Sequence, residues 1–204
     1  MRDVSLFNLT SSERRALLKG NKITICLEMS GREIFTAGDY PKLLMLSVSD
    51  IGKFGNDTGY GTFTLPRGSA SSSSLVRVLR YLVSSCRFHL PITVPLSGDI
   101  WNDVITYQTT ISLGLKDFEC SLGNDLITLI HSRQPTSQEF RAFFKVLPAD
   151  NRVINSLVHV TAWRRRHGRL ADEGIKAYIE SHPYLLQRFK CIDVVVAWKE
   201  CLDV

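Results

Sequence analysis

"KITICLEMSGREIFTA", residues 22–37, decides how the rest of the chain is read. Ile23, Ile25 and Leu27 alternate with polar or small residues, Ser30-Gly31 interrupts them, and Ile34-Phe35 resumes an apolar segment. Period-two alternation on either side of a turn signal predicts two strands in a hairpin. Upstream, Thr10-Ser-Ser-Glu13 has the spacing of a capping box, so a short helix is expected over Thr10–Lys19, stopped by Gly20. Downstream, "YPKLLMLSVSDIGKF" (40–54) places Leu43, Leu44, Leu46, Val48 and Ile51 at spacings more helical than extended. "GNDTGYG" (55–61) reads as a glycine-rich loop and "TFTLP" (62–66) as a short third strand. "GSASSSS" (68–74) reads as a mobile, low-complexity loop leading into a helix.

The remainder is helical in pattern. Leu75, Val78, Leu79, Leu82 and Cys86 form one apolar column at helical spacing, with Arg77, Arg80 and Arg87 away from it. "HLPITVPLSGD" (89–99) is a proline-bounded connector whose Asp99 can cap a helix. In that helix Trp101, Val104, Ile105, Gln108, Ile111 and Ser112 share a side, and Gly114 is placed to end it. Phe118, Leu122, Leu126, Leu129 and Ile130 define the next helix, closed off by Pro135. Further helices are expected near 137–146, 151–167, 172–181 and 184–200, with Asp150 or Asn151 and Asp172 as caps and a break at Pro183. Strands come early, helices cover them, and no strand–helix–strand rhythm repeats. The expected class is α+β, a small three-stranded sheet covered by helices over residues 1–134, followed by an all-helical extension over 135–204.

Composition narrows the function classes. In 204 residues, 44% hydrophobic and 22% charged content provide enough apolar material for a core without metal or disulfide staples. The five cysteines are odd in number and widely spaced, with no Cys-x-x-Cys pair. Free thiols in a reducing compartment follow, and neither a zinc knuckle nor a redox pair is suggested. "MRDVSLFNLTSSERRALL" (1–18) lacks the apolar core of a signal peptide, and no apolar run is long enough to cross a membrane. A cytoplasmic or nuclear protein is expected. The formal charge of +5 is mildly basic and by itself implies no polyanionic partner.

The order of these elements and several local patterns resemble the BTB/POZ family. "LLKGNKITICLEMSGREIFTA" (17–37) is similar to that fold's helix, polar break and hairpin with Gly-Arg and Phe. "LVRVLRYLV" (75–83) resembles one of its helices. "VITYQTTISLGLKDFECSL" (104–122) resembles its helix pair, with a Tyr before a Leu-Gly-Leu corner. The tail, including "SHPYLLQRF" (181–189), is similar to helical extensions on many fungal members. The likeness covers roughly residues 10–133. Four departures stand out: Gly38 lies near the place where members usually carry a His, "GDYPKLL" (38–44) is one or two residues too long, the loop before the strand at 62–65 is short, and the hydrophobic-x-Glu pattern of many cullin-binding members is missing. The resemblance implies a non-catalytic protein–protein interaction module that self-associates and recruits partner proteins. It also implies a homodimer built around the N-terminal helix, with Leu6, Phe7, Leu9, Ala16, Leu17 and Leu18 as candidate interface residues. The alternative for those side chains is to cover the monomer's own sheet. Rival functions are a substrate adaptor of a cullin-type ubiquitin ligase and a basic nucleic-acid or chromatin-associated domain.

Signals for chemistry are weak, and no cofactor is expected. "GKFGNDTGYG" (52–61) lacks the Gly-Lys-Ser/Thr ending of a phosphate loop. The histidines, His89, His131, His159, His167 and His182, form no ligand-spaced cluster. The serine run could accept phosphate at a helix N-terminus, although a solvated linker is the simpler reading. "AWRRRHGR" (162–169) concentrates Arg164, Arg165, Arg166 and Arg169. If 151–167 is a helix with Ile154, Leu157, Val158 and Thr161 inward, three arginines fall in its last turn, where cations favour the helix dipole, and Gly168 ends it. Helix-end chemistry is therefore the first reading of this patch, an acidic protein partner the second and nucleic acid the third.

Overall fold

The computed structural model describes residues 5–49, 61–88 and 90–202. The glycine-rich loop expected at 55–61 lies outside them except for Gly61. The fold is α+β, with a three-stranded mixed sheet near the N-terminus followed by a mostly helical region. Strands β1 (Lys22–Glu28) and β2 (Ile34–Pro41) form the expected antiparallel hairpin, and β3 (Thr62–Leu65) pairs with β1 in parallel. The order β2-β1-β3 makes β1 the central strand, which explains its nearly continuous burial from Ile23 to Leu27. A short 3-10 turn over Ser30–Arg32 closes the hairpin.

Helix α1 (Ser11–Ala16) starts at the Thr10–Glu13 capping box read from the sequence, and α2 (Lys42–Val48) follows directly on β2. Helix α3 (Ser72–Phe88) buries the whole Leu75, Val78, Leu79, Leu82, Cys86 column, and this face packs with Ile25, Leu27, Leu44, Met45 and Leu65 in one core. Each such side chain stabilises the fold by about 1.5–3 kcal/mol through burial.

The serine run is not a solvated linker. Ser72, Ser73 and Ser74 form the first turn of α3. Ser71 Oγ accepts from Ser74 N at 3.1 Å, and Ser74 Oγ returns to the Ser71 carbonyl at 3.0 Å. Ser74 is buried and shares a 2.8 Å hydrogen bond with Thr109 of α4 (Ile100–Ser112). Serine at a helix start offers its hydroxyl to orphan backbone groups, so a run that looks like linker composition becomes a cap.

Asp99 caps α4 as expected, accepting from Trp101 N at 2.9 Å. The inward face of this helix differs from the expected one. Trp101 is 39% exposed, while Ile105, Gln108, Ile111 and Ser112 are only half-buried. The buried residues are Ile100, Asp103, Val104, Thr106, Tyr107, Thr109 and Thr110. The threonines can turn inward because their hydroxyls bond to carbonyls of their own helix: Thr106 to Asn102 at 2.7 Å, Thr109 to Ile105 at 2.8 Å and Thr110 to Tyr107 at 2.7 Å. Asp103, 1% exposed, accepts from Ser97 N and Ser97 Oγ, both at 2.8 Å, and from Gly98 N at 3.2 Å. Arg77 of α3 faces it at 3.4 Å and also donates to the Pro95 carbonyl. One buried carboxylate thus fastens the connector to α3 and α4. Gly114, at φ 66°, ends α4, and the following Leu115 N donates to the Thr110 carbonyl at 2.9 Å.

Helix α5 (Lys116–Ser132) buries Phe118, Leu122, Leu126 and Ile130. The chain divides into two compact units, Met1–Leu122 and Gly123–Val204, so the division falls within α5. The second unit contains α6 (Ser137–Val146), α7 (Arg152–Arg166), α8 (Glu173–Glu180) and α9 (Pro183–Leu202). Thr136 starts α6 with a capping box to Glu139, Asn151 caps α7 and Asp172 caps α8. Pro183 is the first residue of α9, a position where its missing N–H is not needed. Phe140, Phe143, Val153, Leu157, Ile175 and Phe189 are among the buried residues of this unit.

Candidate interaction site

The N-terminal segment is held by a polar contact that its sequence does not announce. Asp117, in the first turn of α5, accepts from Ser5 Oγ at 3.0 Å and from Leu6 N at 2.5 Å. Leu6–Asn8 form a 3-10 turn there. Leu6 is 1% exposed and belongs to the core of the first unit, whereas Phe7 stands 57% exposed. Leu9, Leu17 and Leu18 are half-buried against the same core, and Ala16 is exposed. The six interface candidates therefore divide in three ways. Leu6 is spent on the subunit's own core, Leu9, Leu17 and Leu18 are partly so, and Phe7 and Ala16 face outward. Turning the backbone at Leu6 with a carboxylate is what lets one apolar neighbour point in and the next point out.

The partly buried polar anchor could have been suspected from Asp117 two residues after the Leu-Gly-Leu corner, at a helix start where an acid is favoured by the dipole. Its long-range partner was beyond local pattern.

The arginine cluster at the end of α7 resolves into separate contacts. Ile154, Leu157, Val158 and Thr161 are buried as the helical reading required. Arg164 Nη2 donates to the Ile130 carbonyl at 3.0 Å and the His131 carbonyl at 3.2 Å, satisfying carbonyls in the last turn of α5. Burial lowers its pKa from the ordinary value. Arg165 lies over the Phe189 ring at 5.6 Å. Arg169 lies over the Trp163 ring at 5.1 Å, and His167 stacks on the same indole at 4.4 Å with its Nδ1 2.8 Å from the Trp163 carbonyl. Arg166 is exposed. Gly168, at φ 65°, permits the close of the helix, in which Arg169 N reaches the Arg164 carbonyl at 2.7 Å. Arg164, Arg165 and Arg169 each take a different partner: carbonyls of α5, the Phe189 ring and the Trp163 ring.

No cluster of three or more His, Cys, Asp or Glu side chains suited to a metal ion occurs among the described residues. No disulfide links the described cysteines Cys26, Cys86, Cys120 and Cys191. No helix among the described residues is long and apolar enough to cross a membrane. Comparison with family models, curated proteins and solved structures finds no match to this chain.

Proposed function

We propose that this chain is a BTB/POZ-like, non-catalytic interaction module that self-associates through its N-terminal segment and recruits partner proteins in the cytoplasm or nucleus. The observation that carries the reading is the anchored N-terminus. Ser5 and Leu6 are pinned to Asp117 while the adjacent Phe7 is held outward, 57% exposed. A large aromatic fixed on a rigid base loses little conformational freedom on association and supplies contact area for an interface. Leu9, Leu17 and Leu18, each still partly accessible, supply the apolar surroundings. The element order lends support, since helix, hairpin, helix, third strand and covering helices follow the sequence expected from the resemblance.

A C2 contact would set Phe7 of one subunit against the same segment of its mate. The test is Phe7→Glu in the full chain. Because Phe7 is largely exposed, the substitution should leave the fold and its unfolding midpoint intact while shifting the particle from dimer to monomer. A dimer unchanged by Phe7→Glu would place self-association elsewhere.

A further inference from the structure

A groove of about 450 Å³ in the second unit is lined by His131, His159, Val160, Trp163 and Arg164. Its walls are the C-terminal end of α5 and the outer face of α7. Among the described residues the lining contains a guanidinium, two imidazoles, an indole and a valine, and no carboxylate. Arg164 is the focus. Its Nη2 donates to two neutral carbonyls, while Nη1 is buried with no hydrogen-bond partner among the described residues. Its positive charge is partly desolvated and forms no ion pair with an acidic side chain among the described residues. A guanidinium charge that lines the groove without a neutralising acid attracts a carboxylate entering the groove.

The rest of the groove adds to that preference. Trp163 is 39% exposed, and its indole is kept in place by Arg169 and His167 stacked against it. His131 Nε2 lies 3.2 Å from Ser156 Oγ, a contact that ties this imidazole to α7. His159 is exposed and Val160 half-buried.

We propose that this groove docks an acidic peptide segment of a partner protein, with a carboxylate directed to Arg164 and the histidines and an apolar side chain against Trp163 and Val160. The choice of a peptide over nucleic acid follows from the single guanidinium among the described lining residues and from the separate partners of Arg165 and Arg169. A phosphate-backbone site would need several converging cations. The site lies in the second unit and does not depend on self-association through the first.

Fluorescence anisotropy of the full chain with a fluorescein-labelled glutamate–leucine peptide tests the proposal, with the lysine–leucine peptide and a labelled single-stranded oligonucleotide alongside. His159→Glu is the diagnostic variant. That residue is exposed, so the fold is kept while a negative charge enters the groove. The expected result is saturable binding of the acidic peptide that weakens about tenfold or more in His159→Glu and falls with added salt, with much weaker binding of the lysine peptide. Absence of binding, equal affinity for both peptides, equal affinity of wild type and His159→Glu, or displacement of the peptide by a tighter-binding oligonucleotide would each overturn it.

Discussion

Replacing Asp103 with Ala should destabilise the first unit by about 3 kcal/mol. The estimate is built from its donors. Ser97 N, Ser97 Oγ and Gly98 N all bond to the carboxylate at 2.8–3.2 Å, and hydrogen bonds to a charged group contribute about 1.5–3 kcal/mol each when fully sheltered. Ser97 and Gly98 are exposed, so water replaces part of what is lost, and about 1 kcal/mol per bond is the better figure. The Arg77 guanidinium adds little, being 3.4 Å away with a side chain 26% exposed. Three ranked variants follow. Asp103→Ala should lose the most. Asp103→Asn should lose about 2 kcal/mol, because one acceptor survives while the new amide meets backbone donors. Arg77→Ala should lose about 1 kcal/mol, because the carboxylate keeps its donors in the connector. Urea unfolding followed by circular dichroism gives the three values directly. A loss below about 0.5 kcal/mol for Asp103→Ala, or an Arg77→Ala loss as large as that of Asp103→Ala, would refute the view that the carboxylate acts chiefly as a clasp for residues 97–98.

Further outcomes are expected elsewhere. Leu79→Ala and Leu126→Ala, both at positions 0% exposed, should each cost about 2–5 kcal/mol in the same assay, and a near-neutral result would undo the α3 or α5 packing. In the native protein an alkylating reagent should modify the exposed Cys120 and Cys191 well before the buried Cys26 and Cys86. Burial raises the Cys86 thiol to about 11, leaving almost no thiolate at neutral pH, and denaturation without reductant should release all five thiols. Arg133 and the Thr136 cap hold the Glu139 carboxyl below its ordinary value of 4.5. Its stabilising contribution is therefore present above pH 4.5 and fades as pH falls through the lower folded-state value. Glu139→Gln should flatten that part of the acid-unfolding curve, and Thr136→Ala should cost about 1 kcal/mol at neutral pH by removing the cap; an unchanged acid limb in Glu139→Gln would assign the effect to other carboxylates.

Local patterns made much of this architecture readable. The hairpin, the Thr10 cap, the Leu75–Cys86 column and the four helices of the second unit rest on periodicity and capping chemistry, which short windows record well. The misread parts share a cause. Thr106, Thr109, Thr110 and Asp103 look solvent-facing by residue type, yet each finds its hydrogen bonds within its own helix or in the adjoining connector and can be buried at small cost. Ser71 and Ser74 were disguised by low-complexity composition for the same reason. The candidate sites show the opposite problem. Leu6 and Phe7 are adjacent and both apolar, yet Leu6, whose N–H bonds to Asp117 far along the chain, joins the core while Phe7 is exposed. Likewise, adjacent arginines at 164 and 165 carry the same charge but meet an α5 carbonyl and an α9 aromatic ring.

Self-association tests the central proposal most directly, and light scattering of the purified full chain over a hundredfold concentration range measures it. The account predicts a particle of about twice the 23.0 kDa chain mass at micromolar concentration, converting to monomer in Phe7→Glu with the unfolding midpoint preserved. A wild-type chain that remains at 23.0 kDa throughout would contradict it, leaving Phe7 as an exposed side chain on a monomer.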